Sequence, residues 1–256
     1  MADIDVSKLI ITEVDQITAF NNAGELEFIM DEIQDATISN TQEKTDITGK
    51  GGRKIGSLKK NKGVTISATN GVLVGGALAA QTGTEIEQGS FKVRKTEIAT
   101  VSSNKATITG TPVGTTGNEI GYAYIKNANG SLGKKFTQDA SASTGKFSFT
   151  GKDLTFETSE VPDGTEIVVF YDESVTSAKI SNDSEKYSKT VKMYIDVVCQ
   201  DNCDNQYHGQ FLIQRADCNG EFEFTMGGDP TVHKLDADSL AGGCTGSTNL
   251  WDLVVY

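Results

Sequence analysis

Apolar and polar side chains alternate along most of this chain, and turn residues separate the alternating stretches. The pattern begins with ELEFIMDEI (25–33), ATISNT (36–41), VTISAT (64–69) and SFKVRKTEIATV (90–101). It continues through KATITG, IGYAYIK, KFSFTG, LTFETS, EIVVFYD, TVKMYIDVVC, GQFLIQRA, GEFEFTM and LWDLVVY. A side-chain period of two residues is typical of β-strands, and short strands spaced roughly 8–15 residues apart are typical of all-β domains. The sequence therefore predicts an all-β fold.

Two stretches depart from this alternation. VLVGGALAAQ (72–81) is rich in Ala and Leu, which favour helix, although Gly75 and Gly76 weaken the tendency. LDADSLAGG (235–243) has a similar composition. We therefore expect one or two short helices beside the strands.

The composition changes at residues 102–186, which are rich in Ser, Thr and Gly and contain short predicted strands. This pattern predicts an immunoglobulin-like β-sandwich inserted into a β domain that residues 1–101 and 187–256 form together. Strand spacing alone also allows one continuous domain.

Charge is distributed unevenly in a chain whose net charge is −12. Residues 1–42 sum to −8, residues 43–62 to +5 and residues 196–256 to −8. The basic segment is rich in glycine and includes Lys50, Arg53, Lys54, Lys59, Lys60 and Lys62. One interpretation is a solvated hairpin tip, and another is a loop that docks on an acidic surface of a second copy. A nucleotide-binding loop is disfavoured, because the Gly-Lys-Ser/Thr ending is missing and the residues that follow alternate like a strand.

The sequence gives little support for an enzymatic function. His208 and His233 are the only histidines, and neither belongs to a recognisable catalytic or metal-binding motif. Cys199, Cys203, Cys218 and Cys244 lie within the last 60 residues, yet their spacing lacks the two close pairs of a zinc site. We expect buried, inert thiols, with a late disulfide or a bound metal as alternatives, and no cofactor.

Two parts of the chain resemble the major tail tube proteins of long-tailed bacteriophages. GELEFIMDEIQDATISNTQEKTDITGKGG and LKKNKGVTISATNG are similar to the N-terminal half of such a protein. GQFLIQRADCNGEFEFTMGGDPTVHKLDADSLAGG and LWDLVVY are similar to its C-terminal strands. The likeness covers roughly residues 10–100 and 186–256 and is one of layout rather than of an invariant motif.

The resemblance implies a β-sandwich or half-barrel subunit of the virion tail, assembled in the host cytoplasm without a membrane. It also implies hexameric rings that stack around an acidic lumen, through which DNA is ejected without binding, and contacts with the tape measure and terminator proteins. An acidic wall fits this role, because a basic one would bind the phosphate backbone. A capsid-decorating or adhesin-like β protein is the alternative.

Under this hypothesis, the basic segment contacts the neighbouring ring, and it is mobile in the isolated subunit because of its glycines. The channel would be lined by carboxylates of the acidic blocks. The candidates are Glu25, Glu27, Asp31, Glu32, Asp35, Glu221 and Glu223.

Overall fold

The computed structural model describes residues 8–224, 226–227, 232–242 and 247–256, which divide into two compact units. The first unit consists of Met1–Glu87 and Ile180–Tyr256, and the second of Gln88–Lys179. None of the helices in the described residues is long and apolar enough to cross a membrane.

Fifteen strands and one α-helix make up the described chain. In chain order they are β1 Ile10–Phe20, β2 Leu26–Met30, β3 Ile33–Thr48, β4 Lys54–Asn70, α1 Gly75–Thr82, β5 Glu87–Ser102, β6 Lys105–Thr107, β7 Tyr122–Lys126, β8 Leu132–Gln138, β9 Lys146–Thr150, β10 Asp153–Phe156, β11 Glu166–Lys179, β12 Thr190–Gln200, β13 Gln206–Cys218, β14 His233–Ser239 and β15 Asp252–Val255. The all-β prediction is confirmed.

The first unit is built on one antiparallel sheet with the strand order β2-β1-β12-β13-β14-β4-β3, to which β15 is added by pairing with β13. Strand β12 shows why this chain forms strands. Val191, Met193, Ile195, Val197 and Cys199 are all buried in its core, while the residues between them are only half-buried. This alternation places one face of the sheet against the core and leaves the other partly in water.

Helix α1 lies over residues 75–82, so the helix predicted at 72–81 is confirmed. It ends at Gly83, whose φ of 69° allows the left-handed cap that a side chain would disfavour. Gly76 lets the helix approach β2, since a Cβ there would lie 2.4 Å from the carbonyl oxygen of Glu27.

The second predicted helix, at 235–243, is wrong for the described residues, because His233–Ser239 is strand β14. Leu235, Ala237 and Ser239 are buried, whereas Lys234 and Asp238 are exposed. This period of two allows β14 to pair with β4, so sheet pairing overrides the helical preference of Leu and Ala.

In the second unit, seven strands form a closed barrel in the order β10-β6-β5-β11-β7-β8-β9. The sequence predicted two packed sheets, but closure of the ring of strands leaves no separate sheets in this unit. Its core contains Phe136, Phe147 and Phe156. The ring centroid of Phe156 lies 5.1 Å from that of Phe136 and 5.9 Å from that of Phe147. The unit begins earlier than the change in composition at residue 102, because Ala99 and Val101 of β5 are buried in this core.

Candidate assembly interface

The basic segment forms the outer part of a β-hairpin that extends beyond the sheet. β4 pairs with β14 only from Thr65 to Asn70, whereas its pairing with β3 continues outward as far as Thr48 and Lys54. We call residues 43–62 the arm. All of its side chains are exposed to solvent. The sequence left a solvated hairpin tip and a docking loop open for this glycine-rich segment. Strand pairing reduces the turn to residues 49–53, because Thr45, Ile47 and Ile55 favour extended backbone.

Two glycines close the tip of the arm. Gly51 and Gly52 have φ values of 78° and 77°, a region that side chains rarely adopt. The N–H of Gly49 donates to the carbonyl oxygen of Arg53 at 2.7 Å, and the N–H of Gly52 donates to that of Gly49 at 3.0 Å. The turn therefore has a defined hydrogen-bonded shape.

A β-bulge marks the base of the arm. Thr41 pairs with Gly63 and Glu43 pairs with Lys60, so one residue of β3 lies opposite two of β4. Asn61 takes a left-handed φ of 51°, and its amide Nδ2 donates to Oε2 of Glu43 at 2.8 Å. Bulges increase local twist, so the arm leaves the sheet at a bend.

Among the described residues, two of the arm's seven basic side chains have an acidic partner. Nζ of Lys54 lies 2.6 Å from Oδ1 of Asp46, and Nζ of Lys60 lies 3.7 Å from Oε2 of Glu43. The others form no ion pair with any residue that the structure describes; they are Lys44, Lys50, Arg53, Lys59 and Lys62. The arm thus presents five uncompensated positive charges.

The arm also carries exposed apolar side chains on both faces. Ile47 and Leu58 are 50% and 58% exposed and share a face, because Ile47 pairs with Gly56 and Leu58 lies two residues further along β4. Lys60 continues that face. Ile55, 61% exposed, belongs to the opposite face. Burying these side chains against another surface would stabilise a contact, because apolar surface is removed from water.

The first unit contains an open apolar groove of about 360 Å³. It lies where β3 leaves the sheet, at the base of the arm. Five strands and the residue before β15 contribute to its lining, which consists of Ile11, Val14, Ala36, Ile38, Asn40, Ile195, Val197, Phe211, Trp251 and Leu253. The indole Nε1 of Trp251 donates to Oδ1 of Asn40 at 3.1 Å, which holds the ring at one end of the groove.

The groove continues into a gap between β1 and β3, which we call the seam. No hydrogen-bonded pairing joins these two strands among the described residues, although Ile11–Val14 and Ile33–Ala36 line the same cleft. Glu13 and Asp35 are exposed in this cleft. An apolar groove with two carboxylates beside it is a surface suited to an apolar and basic partner.

The predicted channel carboxylates occupy different environments in the subunit. Five of them are exposed within the described chain and form no ion pair there: Asp31, Glu32, Asp35, Glu221 and Glu223. Glu25 is exposed and accepts a hydrogen bond from Asn21. Glu27 differs, because Nζ of Lys189 lies 2.9 Å from its Oε2 and only 12% of its side chain is exposed.

The strand expected around Glu221 and Glu223 is absent, since residues 219–224 have no regular structure. The expected alternation of burial nevertheless holds, because Phe222 and Phe224 are half-buried and their ring centroids are 5.2 Å apart.

A buried histidine fastens α1 to the sheet, a role that the sequence did not suggest. His233 is 1% exposed, and its Nδ1 accepts the backbone N–H of Val74 at 3.2 Å. Its Nε2 therefore carries the proton and donates to Oε1 of Gln81 at 2.8 Å, while Nε2 of Gln81 donates to the carbonyl oxygen of Lys234. Burial lowers the pKa of His233, so the ring is neutral.

Three of the four cysteines can be described, and Cys244 lies outside the described residues. Cys199 and Cys218 are buried, and burial raises the pKa of Cys199 and raises the pKa of Cys218 to about 12. Cys203 is exposed in the turn between β12 and β13. The three are free thiols, and the described residues contain no cluster of three potential metal ligands.

Comparison with known proteins gives one result that covers nearly the whole chain. The model of the YomU/Tube protein family matches residues 9–251, which include the second unit, most of the first unit and the arm. A search of curated proteins found no match. Tube proteins of this kind are structural proteins of phage tails, so the resemblance seen in the sequence is confirmed. The chain belongs to the YomU/Tube protein family.

Proposed function

We propose that this chain is the major tail tube subunit of a long-tailed bacteriophage. Copies associate into rings of about six, and the rings stack into a tube through which genomic DNA passes into the host. The observation that carries this proposal is the arm: an exposed hairpin with five uncompensated positive charges in an acidic member of a tube protein family. Assembly takes place in the host cytoplasm, with the tape measure and terminator proteins as further partners.

Ring formation is supported by the edges of the sheet in the first unit. β2 and β3 each pair with a single strand, so each has one side without a strand partner in the single chain. An exposed edge is a template for pairing with another chain, and a closed ring of subunits satisfies both edges of every copy.

The charge of the chain supports DNA passage rather than DNA binding. We assign to the channel wall the exposed carboxylates near β2 and after β13, namely Glu25, Asp31, Glu32, Glu221 and Glu223. Glu27 is left out because Lys189 already compensates its charge. Carboxylates repel the phosphate backbone, so DNA slides without the counterion release that stabilises binding.

The assembly is tested by light scattering and negative-stain microscopy of the purified chain over a range of concentrations. Rings and hollow tubes are the expected result. A chain that stays monomeric at high concentration and in particle extracts would contradict the proposal, and trimers without stacking would favour a capsid-decorating or adhesin-like protein.

The channel is tested separately by replacing Glu25, Asp31 and Glu32 together with lysine. Tubes should still form, but they should retain DNA that wild-type tubes release. The control places three lysines at Asp139, Asp153 and Asp163, exposed or half-buried carboxylates of the second unit. A tube structure with a neutral or basic inner wall would contradict this assignment.

A further inference from the structure

We propose that the groove described above is the receptor for the arm of the next copy. Ile47 and Leu58 enter the groove, and Lys60 lies near Glu13 and Asp35 in the adjoining seam. This inference rests on the proposed stacking of rings and specifies which surfaces meet.

The apolar parts of the two surfaces correspond. The arm places Ile47 and Leu58 side by side on one face, and they are 50% and 58% exposed in the single chain. The groove offers Ile11, Ile38 and Phe211 as part of an apolar lining, in a volume of about 360 Å³. That volume accommodates a few aliphatic side chains rather than a globular partner. Two branched side chains at the end of a narrow hairpin have the required shape.

The charges correspond as well. Lys60 shares the face of Leu58, and the seam shares Ile11, Val14 and Ala36 with the groove. When Leu58 occupies the groove, Lys60, two residues along the strand at about 7 Å, reaches the neighbouring cleft that holds Glu13 and Asp35. There it exchanges its exposed contact with Glu43, 3.7 Å long in the single chain, for these two carboxylates. Asp35 would then belong to a contact between copies rather than to the channel wall.

The partner must be a second copy, because the arm cannot reach its own groove. Asn40 lines the groove and Ile47 lies seven residues further along the same strand. A strand rises about 3.3 Å per residue, so the two side chains are separated by about 23 Å of extended backbone. Since the inserted surface and its receptor are different parts of the molecule, each copy that docks leaves a new groove and a new arm free. Such a head-to-tail contact continues without limit.

The first experiment compares two variants of the arm. Ile47→Ser, Leu58→Ser removes the apolar side chains from one face, and Ile55→Ser removes the one on the opposite face. Both variants alter exposed positions, so their circular dichroism spectra should match the wild type. We expect the double variant to form rings but at least tenfold fewer stacked tubes, and Ile55→Ser to stack normally. Equal stacking by all three chains would overturn the inference.

The second experiment mixes chains that are defective on opposite sides of the contact. Ile11→Glu changes a groove residue that is 49% exposed, and this variant alone should form unstacked rings. Its intact arm should still enter the intact groove of the Ile47→Ser, Leu58→Ser variant. The mixture should therefore give stacks of two rings and no longer ones. Failure of the mixture to pair would overturn the inference.

A variant with the arm replaced by a two-residue turn separates this inference from the proposed function. If loss of the arm abolishes stacking while Ile47→Ser, Leu58→Ser does not, rings stack through the arm but by another receptor. If Ile11→Glu blocks stacking while the arm variants do not, the groove has an occupant other than the arm. Wild-type chains that never form rings would contradict the proposed function itself.

Discussion

Lys44 and Lys59 lie directly opposite each other on the two strands of the arm, and their side chains share one face. Like charges in this position destabilise a strand pair, and neither lysine forms an ion pair within the described chain. The strands here belong to a two-stranded ribbon without a buried face, which is marginally stable by itself. The pair is therefore unfavourable in an isolated subunit. It lies on the face of Ile55, opposite the face of Ile47 and Leu58 that we assign to the groove.

Reversing the charge of the arm should block stacking without unfolding the chain. In the Lys59→Glu, Lys60→Glu variant, the arm would repel an acidic receptor surface. We expect a wild-type circular dichroism spectrum and no tubes in electron micrographs. Wild-type stacking should itself weaken between low salt and 1 M salt, because the Debye length falls from about 10 Å at 0.1 M to about 3 Å.

The matched control is Lys92→Glu, Lys186→Glu, which changes the net charge equally at two exposed lysines outside the arm. It should form tubes of normal length. Tubes of normal length from the Lys59→Glu, Lys60→Glu variant would refute a docking role and leave the arm as a solvated hairpin.

The backbone of the arm should become better protected on assembly. Its backbone hydrogen bonds from Glu43 to Lys60 are exposed and shielded by no third strand, so they should open readily in the free subunit. Hydrogen exchange followed by mass spectrometry should show fast exchange at 43–60 in monomers and at least tenfold slower exchange in tubes. Peptides from β12 provide the internal standard. Equal protection of the arm in both states would contradict this prediction.

Gly83→Ala should destabilise the first unit strongly. A Cβ at this position would lie 1.9 Å from the carbonyl oxygen of Tyr187, and the φ of 69° adds backbone strain. We expect a loss of about 3 kcal/mol in the free energy of unfolding, measured by urea denaturation. Gly24→Ala is the control, because Gly24 has a φ of 83° but no atom within 4 Å of the added Cβ. It should cost about 1 kcal/mol, the backbone contribution alone.

Acid should destabilise the first unit through His233. Because burial lowers the pKa of His233 in the folded chain, the unfolded chain binds a proton that the folded chain does not as pH falls below about 6.5. The free energy of unfolding should decrease through that window by up to about 1.4 kcal/mol per pH unit, and level off below the folded-state pKa. Urea denaturation between pH 7.5 and 5 measures the slope.

His233→Gln should show a flatter dependence on pH over this range, with lower stability at pH 7.5 because the bond from Val74 is lost or weakened. His208→Gln is the control, since His208 is exposed and is the other histidine of the chain. A slope in His233→Gln as steep as that of the wild type would show that other groups cause the acid sensitivity.

Thiol reagents should distinguish the cysteines by burial. In a Cys244→Ser background, one equivalent of reagent should react with the native chain at Cys203, and three with the chain in urea. Burial of Cys199 and Cys218 raises their pKa and disfavours the reactive thiolate. Rapid labelling of two or more thiols in the native chain would contradict the placement of these residues in the core.

The sequence predicts the parts of this fold that depend on local periodicity. The alternation in β12 and the Ala-rich segment of α1 give the correct element types. Prediction fails for the arm, because its many glycines indicate a loop although two long strands pair there. It also fails for β14, where Leu and Ala favour a helix but pairing with β4 makes the segment a strand. In both cases, pairing with a neighbouring strand determines the secondary structure, and the local sequence does not reveal that pairing.

The candidate site is less accessible to sequence analysis than the fold. The positive charge of the arm is visible in the composition, but the groove is not, because its lining comes from five strands and a segment near the C-terminus. The hydrogen bonds of His233 to Val74 and Gln81 span 159 and 152 residues, so no short sequence motif indicates them. Only the topology brings these groups together.

The pleat of the arm limits how tube spacing can change. Side chains alternate between the faces, so adding one residue to each strand would turn Ile47 and Leu58 away from the groove. Adding two residues to each strand would keep both side chains on the docking face and move them outward by about 7 Å. If Ile47 and Leu58 dock as proposed, the offset between successive copies can change only in steps of about 7 Å, and the length of the hairpin sets that offset.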